Sequence, residues 1–148
     1  MARRMRHLAV RTDPIFVLDA QALSLLVDSN RRMMRILDVA VGEGFAPVLS
    51  AVTIAAQRRE GAAGKRLSWL RSRLTIIGIT EEVADHAAAL LEETGLSGHE
   101  CVVDALVVAV TLRGSAPAKV ASSDGSHIPG LCKAASRFRP VPVSWVRV

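Results

Sequence analysis

Cysteine and histidine are too few and too dispersed in this chain to build common disulfide or zinc frameworks. The 148 residues include two cysteines, Cys101 and Cys132, which alone cannot form a disulfide framework or a four-ligand zinc site. The four histidines show no zinc-ligand spacing; they are His7, His86, His99 and His127. Neither a Walker loop nor a G-x-G-x-x-G segment is present, which disfavours a nucleotide cofactor.

Long apolar segments are also missing. The most apolar run, Cys101–Leu112, carries Asp104 and is too short to span a bilayer. The start of the chain, Met1–His7, is basic, but neither an apolar signal core nor a small-residue cleavage site follows it. We therefore expect a soluble, cytoplasmic protein that does not bind membranes. Its length predicts a single domain over residues 14–148, preceded by a basic arm over residues 1–13.

Charge is unevenly distributed along the chain. Lysine and arginine number 19 against 14 acidic residues, for a formal net charge of +5, and all but three of the basic residues are arginine. Residues 58–80 hold six bases and one acid, whereas residues 81–104 hold seven acids and no lysine or arginine. Arginine presents a planar fork to phosphate, so the excess of arginine favours a nucleic-acid partner. An acidic segment beside basic segments is typical of a metal site that acts on a polyanion. Two solvated helix faces would give the same pattern.

Predicted strands alternate with predicted helices throughout the chain. The strand candidates are Pro14–Asp19, Ala46–Leu49, Leu74–Ile79, Lys119–Ser123 and Val141–Val148, and helical patterns separate them. Ser50 and Thr80 are good helix caps, and Gly95 follows the helix that Thr80 begins. This alternation predicts an α/β fold, a three-layer sandwich with a mostly parallel central sheet.

Three aspartates lie where such a fold places its ligands. Asp19 closes the first strand and Asp124 follows the Lys119–Ser123 strand, and ligands of open α/β sheets bind beyond the carboxyl ends of strands. Asp104 lies two turns into the most apolar helix, where an unpaired carboxylate is costly. If the three share one cleft, their mutual repulsion would be relieved by bound Mg²⁺ or Mn²⁺.

Each aspartate also has an ordinary structural alternative. Asp19 could simply cap the helix that follows it. Asp124, next to Gly125, could belong to a turn. Asp104 could lie on a solvent-facing stripe with Glu100, four residues earlier.

Four segments, in this order, resemble the PIN-domain family, and more narrowly its VapC-type toxins. They are Val17-Leu-Asp19-Ala20, Ser50-Ala-Val-Thr-Ile-Ala55, His99-Glu-Cys-Val-Val-Asp104-Ala105-Leu-Val-Val-Ala109 and Ala121-Ser-Ser-Asp124. The resemblance implies a Mg²⁺- or Mn²⁺-dependent endoribonuclease that hydrolyses single-stranded RNA and that a cognate antitoxin inhibits by blocking its cleft. It also implies that Asp19, Asp104 and Asp124 are the catalytic metal ligands. We further expect a homodimer.

One position departs from the family pattern. The family's second acid is a glutamate in the helix after the second strand, and Ala56 occupies that position here. Three explanations compete: Glu60 could reach in from the next turn of the same helix, the glutamate could have been replaced by engineering, or a natural protein could have lost activity. The last two are favoured, because one helical turn displaces a side chain by about 5.4 Å. The family's early hydroxyl is also replaced, by Gln21.

Several further residues are candidates for contacts. Arg58, Arg59 and Arg66 could bind backbone phosphates. His127, near Asp124, could touch a phosphate, whereas His99 is better explained as structural. Ser122 and Ser123 could hydrogen-bond a metal-bound water or simply finish a strand. Trp69, among arginines, could stack on a base, but a core position is the favoured interpretation. The alanine-rich segment 84–91 and the Met33/Met34 region are candidate association surfaces.

Two other functions are compatible with the same residues. A non-catalytic binding module would receive a basic segment of a partner in the acidic cleft. A phosphatase-like enzyme would use Asp19 as nucleophile, but Gln21 stands where its usual second aspartate would be.

Overall fold

A computed structural model describes residues 13–57 and 59–148, so most of the predicted basic arm and Arg58 lie outside it. The strands are β1 (Ile15–Leu18), β2 (Ala46–Ser50), β3 (Thr75–Ile77), β4 (Ala118–Ser122) and β5 (Val143–Arg147). The α-helices are α1 (Ala20–Val27), α2 (Arg31–Gly42), α3 (Ala51–Ala56), α4 (Gly61–Arg73), α5 (Glu81–Thr94), α6 (Gly98–Ala109) and α7 (Ile128–Arg137). A 3₁₀ turn, Val110–Arg113, follows α6.

The five strands form one parallel sheet in the order β3-β2-β1-β4-β5. The chain therefore builds outward from β1 to β3 and then crosses to the other side of β1 to add β4 and β5. Strand order reverses between β1 and β4, where Leu18 pairs with Ala121. In doubly wound α/β sheets this switch point opens a crevice at the carboxyl ends of the strands.

Helices cover both faces of the sheet. Alternate strand residues point to opposite faces, and the apolar residues on each face pack against helices. Val17 and Val120 belong to a buried cluster that includes residues of α5, α6 and α7. Phe16 and Leu18 belong to a second cluster with residues of α1, α2 and α4. The strand β1 is buried along its whole length, as expected for a parallel strand covered on both faces. The predicted three-layer α/β sandwich is confirmed.

Local capping signals in the sequence are mostly confirmed. The Ser50 side chain accepts a hydrogen bond from the backbone N of Val52 at the start of α3, and Thr80 accepts one from Val83 at the start of α5. Gly95 ends α5 with φ at 69°, a left-handed conformation that glycine adopts without a Cβ clash. Ser97 precedes α6 but makes no side-chain capping bond.

Helix α3 is shorter than the sequence predicted. It ends at Ala56 rather than near Glu60, because Gln57 adopts an extended conformation and its Nε2 donates a hydrogen bond to the carbonyl of Ala20, 2.9 Å away. Glu60 is also extended and lies just before α4. Glu60 therefore does not share a helix face with Ala56, and the explanation that it replaces the missing glutamate is wrong.

Two predicted placements of large side chains are also wrong. Trp69 is 51% exposed, because α4 turns Leu67 and Leu70 toward the core instead. Met33 is almost fully buried in the cluster over α1, α2 and α4, and Met34 packs against that cluster, so Met33 offers no association surface. Within the segment 84–91, Ala87 is buried in the core. In the described part of the chain, no helix is both long and apolar enough to span a bilayer.

Candidate metal centre

Asp19 and Asp124 lie beyond the carboxyl ends of the neighbouring strands β1 and β4, at the switch point of the sheet. Asp19 directly follows Leu18, and its backbone N donates to the carbonyl of Ala121 at 3.1 Å. Asp124 comes two residues after β4 ends. The parallel register therefore brings together two acids that are about a hundred residues apart in the chain.

Asp19 is both a helix cap and a buried carboxylate. It is 8% exposed, and its Oδ1 accepts a hydrogen bond of 2.8 Å from the backbone N of Ala22 in the first turn of α1. Burial raises the pKa of this carboxyl, although hydrogen bonds from the Ser122 side chain and the Ala22 backbone counteract part of the increase. The negative charge of Asp124 raises it further. Asp19 therefore caps α1, as one interpretation of the sequence had it, but capping does not explain why the carboxylate of Asp124 lies near that of Asp19.

Ser122 connects the two strand-end acids. Its side chain is fully buried, and its hydroxyl donates to the Asp19 carboxylate. The same oxygen accepts a hydrogen bond of 3.0 Å from the backbone N of Asp124. Ser123, in contrast, is exposed. Of the two hydroxyls, that of Ser122 therefore interacts with both candidate ligands.

Asp124 is held by the turn that begins α7. Its Oδ1 accepts hydrogen bonds from the backbone N of Ser126 at 2.7 Å and of His127 at 3.2 Å. Burial would raise the pKa of Asp124, but these hydrogen bonds and the nearby His127 side chain outweigh it and lower the pKa. Asp124 is thus fixed by its turn and readily ionised, with Oδ2 directed at the His127 ring.

Helix α6 brings Asp104 to the same place. Oδ2 of Asp104 lies 3.5 Å from Nδ1 of His127, and Oδ2 of Asp124 lies 3.3 Å from the same nitrogen. Burial raises the pKa of Asp104, the charges of Asp124 and Asp19 raise it further, and His127 opposes them. Asp104 therefore faces Asp19, Asp124 and His127. Glu100, which lies one turn earlier on the same helix, is exposed.

The donor set fits a divalent cation. One ligand atom from each of Asp104, Asp124 and His127 lies within 4.8 Å of the others. Asp19 is outside this group, but it interacts electrostatically with both aspartates. Carboxylate oxygens suit Mg²⁺ and Mn²⁺, and a cation would relieve the repulsion that raises the pKa values of Asp19 and Asp104.

The sequence did not predict that His127 contacts the aspartates. The sequence suggested only a phosphate contact for it. Its spacing of three residues from Asp124, at the start of a helix, was the available signal. The structure places it between two carboxylates, where the neutral ring can be a ligand and the protonated ring a counter-charge.

Two of the arginines proposed for phosphate contacts already make hydrogen bonds within the chain. Nη2 of Arg59 donates to the Ser24 hydroxyl at 2.6 Å, and Nε of Arg66 donates to the Leu26 carbonyl at 3.1 Å. Both bonds fasten the segment around α4 to α1. Arg58 lies outside the described residues, and phosphate binding by these arginines stays a prediction.

The two roles of Asp19 can be separated by substitution. Asp19→Asn keeps an oxygen that can accept the Ala22 hydrogen bond, whereas Asp19→Ala removes both the cap and the charge. We expect Asp19→Ala to be less stable than Asp19→Asn by about 1 kcal/mol in urea unfolding, because a helix loses its cap. If Asp19 is also a metal ligand, both variants should lack the thermal stabilisation that Mg²⁺ would give the parent chain. Asp19→Asn retaining the full Mg²⁺ response would leave capping as the only role.

Comparisons with known proteins support the fold. No protein-family model and no curated protein matches the chain. Among solved structures, VapBC2 from Rickettsia felis, bound to a DNA fragment from its promoter, aligns with a TM-score of 0.62 at 14% identity, over 89% of this chain and 98% of that one. A toxin–antitoxin complex from Klebsiella pneumoniae aligns with a TM-score of 0.59 at 20% identity, over 77% of this chain and 92% of that one. The chain therefore has the fold found in these toxin–antitoxin complexes, which confirms, at the level of the fold, its resemblance to VapC-type PIN domains.

Proposed function

We propose that this chain is the toxin of a toxin–antitoxin pair, a Mg²⁺- or Mn²⁺-dependent endoribonuclease that hydrolyses phosphodiester bonds in single-stranded RNA. Asp19, Asp104 and Asp124 would be its metal ligands. The observation that carries the proposal is the convergence of Asp104, Asp124 and His127 within 4.8 Å, beside the buried Asp19, at the switch point of the sheet.

The described residues divide the work of such a site. A bound divalent ion would supply Lewis acidity for attack of water on a phosphodiester. The turn at Asp124 and the Ala22 N–H each hold one carboxylate, that of Asp124 and that of Asp19, before any ligand arrives. Because burial and mutual repulsion raise the pKa values of Asp19 and Asp104, metal binding should displace protons. We therefore expect metal affinity to increase with pH.

Direct binding and cleavage measurements test this proposal. Mg²⁺ and Mn²⁺ binding should be measured by calorimetry, and cleavage of an unstructured RNA should be followed with Mg²⁺ and with EDTA. We expect Asp124→Asn to abolish both, because it removes a charge that contacts His127 and neighbours Asp104. Asp85→Asn is the matched control, an exposed aspartate on α5 whose loss should change neither. Metal-independent cleavage, or unchanged binding in Asp124→Asn, would contradict the proposal.

An antitoxin partner and a homodimer are part of the same proposal. Both solved structures named above are toxin–antitoxin complexes. We expect a short reading frame immediately upstream, encoding a protein with a DNA-binding N-terminal half, and we expect its product to inhibit this chain when the two are co-expressed. Light scattering of the purified chain tests the homodimer. A monomer at all concentrations would exclude it.

Ala56 favours one alternative, a non-catalytic binding module. Helix α3 ends at Ala56 and Glu60 lies just before α4, so α3 itself carries no replacement carboxylate after Ala56. In this alternative the acidic cleft receives a basic segment of a partner. Absence of RNA cleavage both in this chain and after Ala56→Glu would support it.

A further inference from the structure

We propose that the solvent-facing side of α4 is a binding surface for single-stranded RNA, on which a base stacks against Trp69. This α4 surface consists of Lys65, Arg66, Trp69, Arg71 and Arg73. It lies outside the metal centre. The inference extends the proposed function and depends on it for the identity of the nucleic acid.

The exposure of Trp69 has no structural explanation within the described chain. Half of the side chain is open to solvent, while Leu67 and Leu70 fill the core side of the helix. The guanidinium carbon of Arg73 lies 4.7 Å from the centroid of the Trp69 ring. An exposed indole that stacks with an arginine is a platform on which any base can stack, because every base has a π face.

The charge of the α4 surface selects a polyanion. Helix α4 contains four basic residues and no acidic one. Among the described residues, the ion pairs with a separation of 4.0 Å or less include none of these four side chains. Within residues 13–57 and 59–148, Arg66 is the one of these four that hydrogen-bonds to another element, through Nε to the Leu26 carbonyl. Such an unneutralised basic helix is the electrostatic pattern of a nucleic-acid contact.

A hollow lies beside the same helix. An open hollow of about 320 Å³ lies between α4 and the edge strand β3, lined by Ser68, Arg71, Ser72 and Ile76. Ile76 is 39% exposed and offers an apolar wall, while Arg71 offers a cation and Ser68 a hydroxyl. In the proposed complex, these groups would contact a neighbouring base and its phosphate. The hollow therefore extends the α4 surface toward β3, to which Ile76 belongs.

The surface is connected to the metal centre through α1. Arg59 and Arg66 fasten the α4 segment to Ser24 and Leu26 of α1, and Asp19 caps the other end of that helix. The α4 segment is thus tied directly to the helix that begins at Asp19. The chemistry also favours RNA over an acidic polypeptide, because the polypeptide would use the charges but not the indole.

Tryptophan fluorescence in EDTA tests the surface without requiring cleavage. The chain has two tryptophans, so a Trp69→Phe variant reports Trp145 alone. We expect a twelve-residue oligouridylate to quench the Trp69 contribution and poly-glutamate at equal charge to leave it unchanged. Quenching by poly-glutamate as strong as that by the oligonucleotide, or no quenching by the oligonucleotide, would overturn the proposal.

Affinity measurements distinguish stacking from charge. In fluorescence anisotropy with labelled oligouridylate, Trp69→Ala should weaken binding by about 5- to 100-fold, and Trp69→Phe should retain most of the affinity. Phe138→Ala is the matched control, because Phe138 is also an exposed aromatic residue, 50% exposed, but lies at the end of α7. The Phe138→Ala variant should bind the oligouridylate as tightly as the parent chain. Equal affinity of Trp69→Ala and the parent chain would overturn the proposal.

The result can be separated from the outcome for the proposed nuclease. Trp69-dependent binding in EDTA without Mg²⁺-dependent cleavage would support the surface and contradict the nuclease. If Asp124→Asn abolishes cleavage and Trp69→Ala changes neither cleavage nor RNA binding, the nuclease is supported and the α4 surface is overturned. Melting temperatures of Trp69→Ala and the parent chain should agree, because the side chain is not in the core.

Discussion

Ala56→Glu is expected to raise Mg²⁺-dependent RNA cleavage by at least about tenfold, in line with the effects of residues that support metal sites. Helix α3 packs against α1, which Asp19 caps, and against α6, which carries Asp104. The hydrogen bond from Gln57 to Ala20 places the end of α3 beside the first residue of α1. A carboxylate at position 56 would therefore join the acids and bind the metal more tightly. Initial rates of cleavage of an unstructured RNA, with Mg²⁺ and with EDTA, measure the effect.

Ala55→Glu is the matched control for this substitution. Ala55 is exposed like Ala56 and lies on the same short helix, but its side chain is rotated by about 100° around the helix axis. The two variants have the same net charge, so nonspecific repulsion of RNA is equal in both. If both variants cut at the same rate as the parent chain, position 56 does not belong to the site.

Asp104→Asn is expected to raise the melting temperature of the metal-free protein and to abolish its stabilisation by Mg²⁺. Burial and the charges of Asp124 and Asp19 raise the pKa of Asp104, so its ionised form destabilises the folded chain at neutral pH. For a chain of this length, each kcal/mol corresponds to a shift of about 2–4 °C. On the proposed function, Mg²⁺ would stabilise the parent chain by mass action, and the variant would lack one of the proposed ligands.

The pH dependence gives this prediction a definite sign. Well below the usual pKa of an aspartate, the carboxyl is neutral in both folded and unfolded chains, so the variant and the parent should have similar stability. As pH rises through the raised folded-state pKa of Asp104, the parent loses stability relative to the variant. Asp85→Asn, on the exposed face of α5, should show no such trend. A stability difference that does not change between pH 3 and pH 7 would contradict the electrostatic cause.

Much of the fold followed from local patterns. Short apolar runs bounded by helical segments predicted the strands β1, β2 and β4, because a parallel strand covered on both faces needs apolar residues on both. Ser50 and Thr80 marked helix starts, since their side-chain oxygens satisfy backbone N–H groups that the helix leaves free. Such signals need no knowledge of distant residues.

Local patterns failed where a distant partner decided the conformation. Continuation of α3 beyond Ala56 was compatible with the sequence, but Gln57 leaves the helix and bonds to Ala20, 37 positions away. A core position for Trp69 was compatible with its apolar body, but Leu67 and Leu70 already supply the buried face of α4. His127 gained its position between two carboxylates only when α6 packed beside α7.

The sequence by itself determined that strands and helices alternate and that two aspartates follow strands, because side-chain periodicity and turn chemistry are properties of neighbouring residues. Only the tertiary structure decided which acids meet. Strand order puts β1 next to β4, and helix packing turns Asp104 toward Asp124 and His127. Electrostatic crowding arises from side chains separated by as many as 105 residues, and such contacts exist only after the chain has folded.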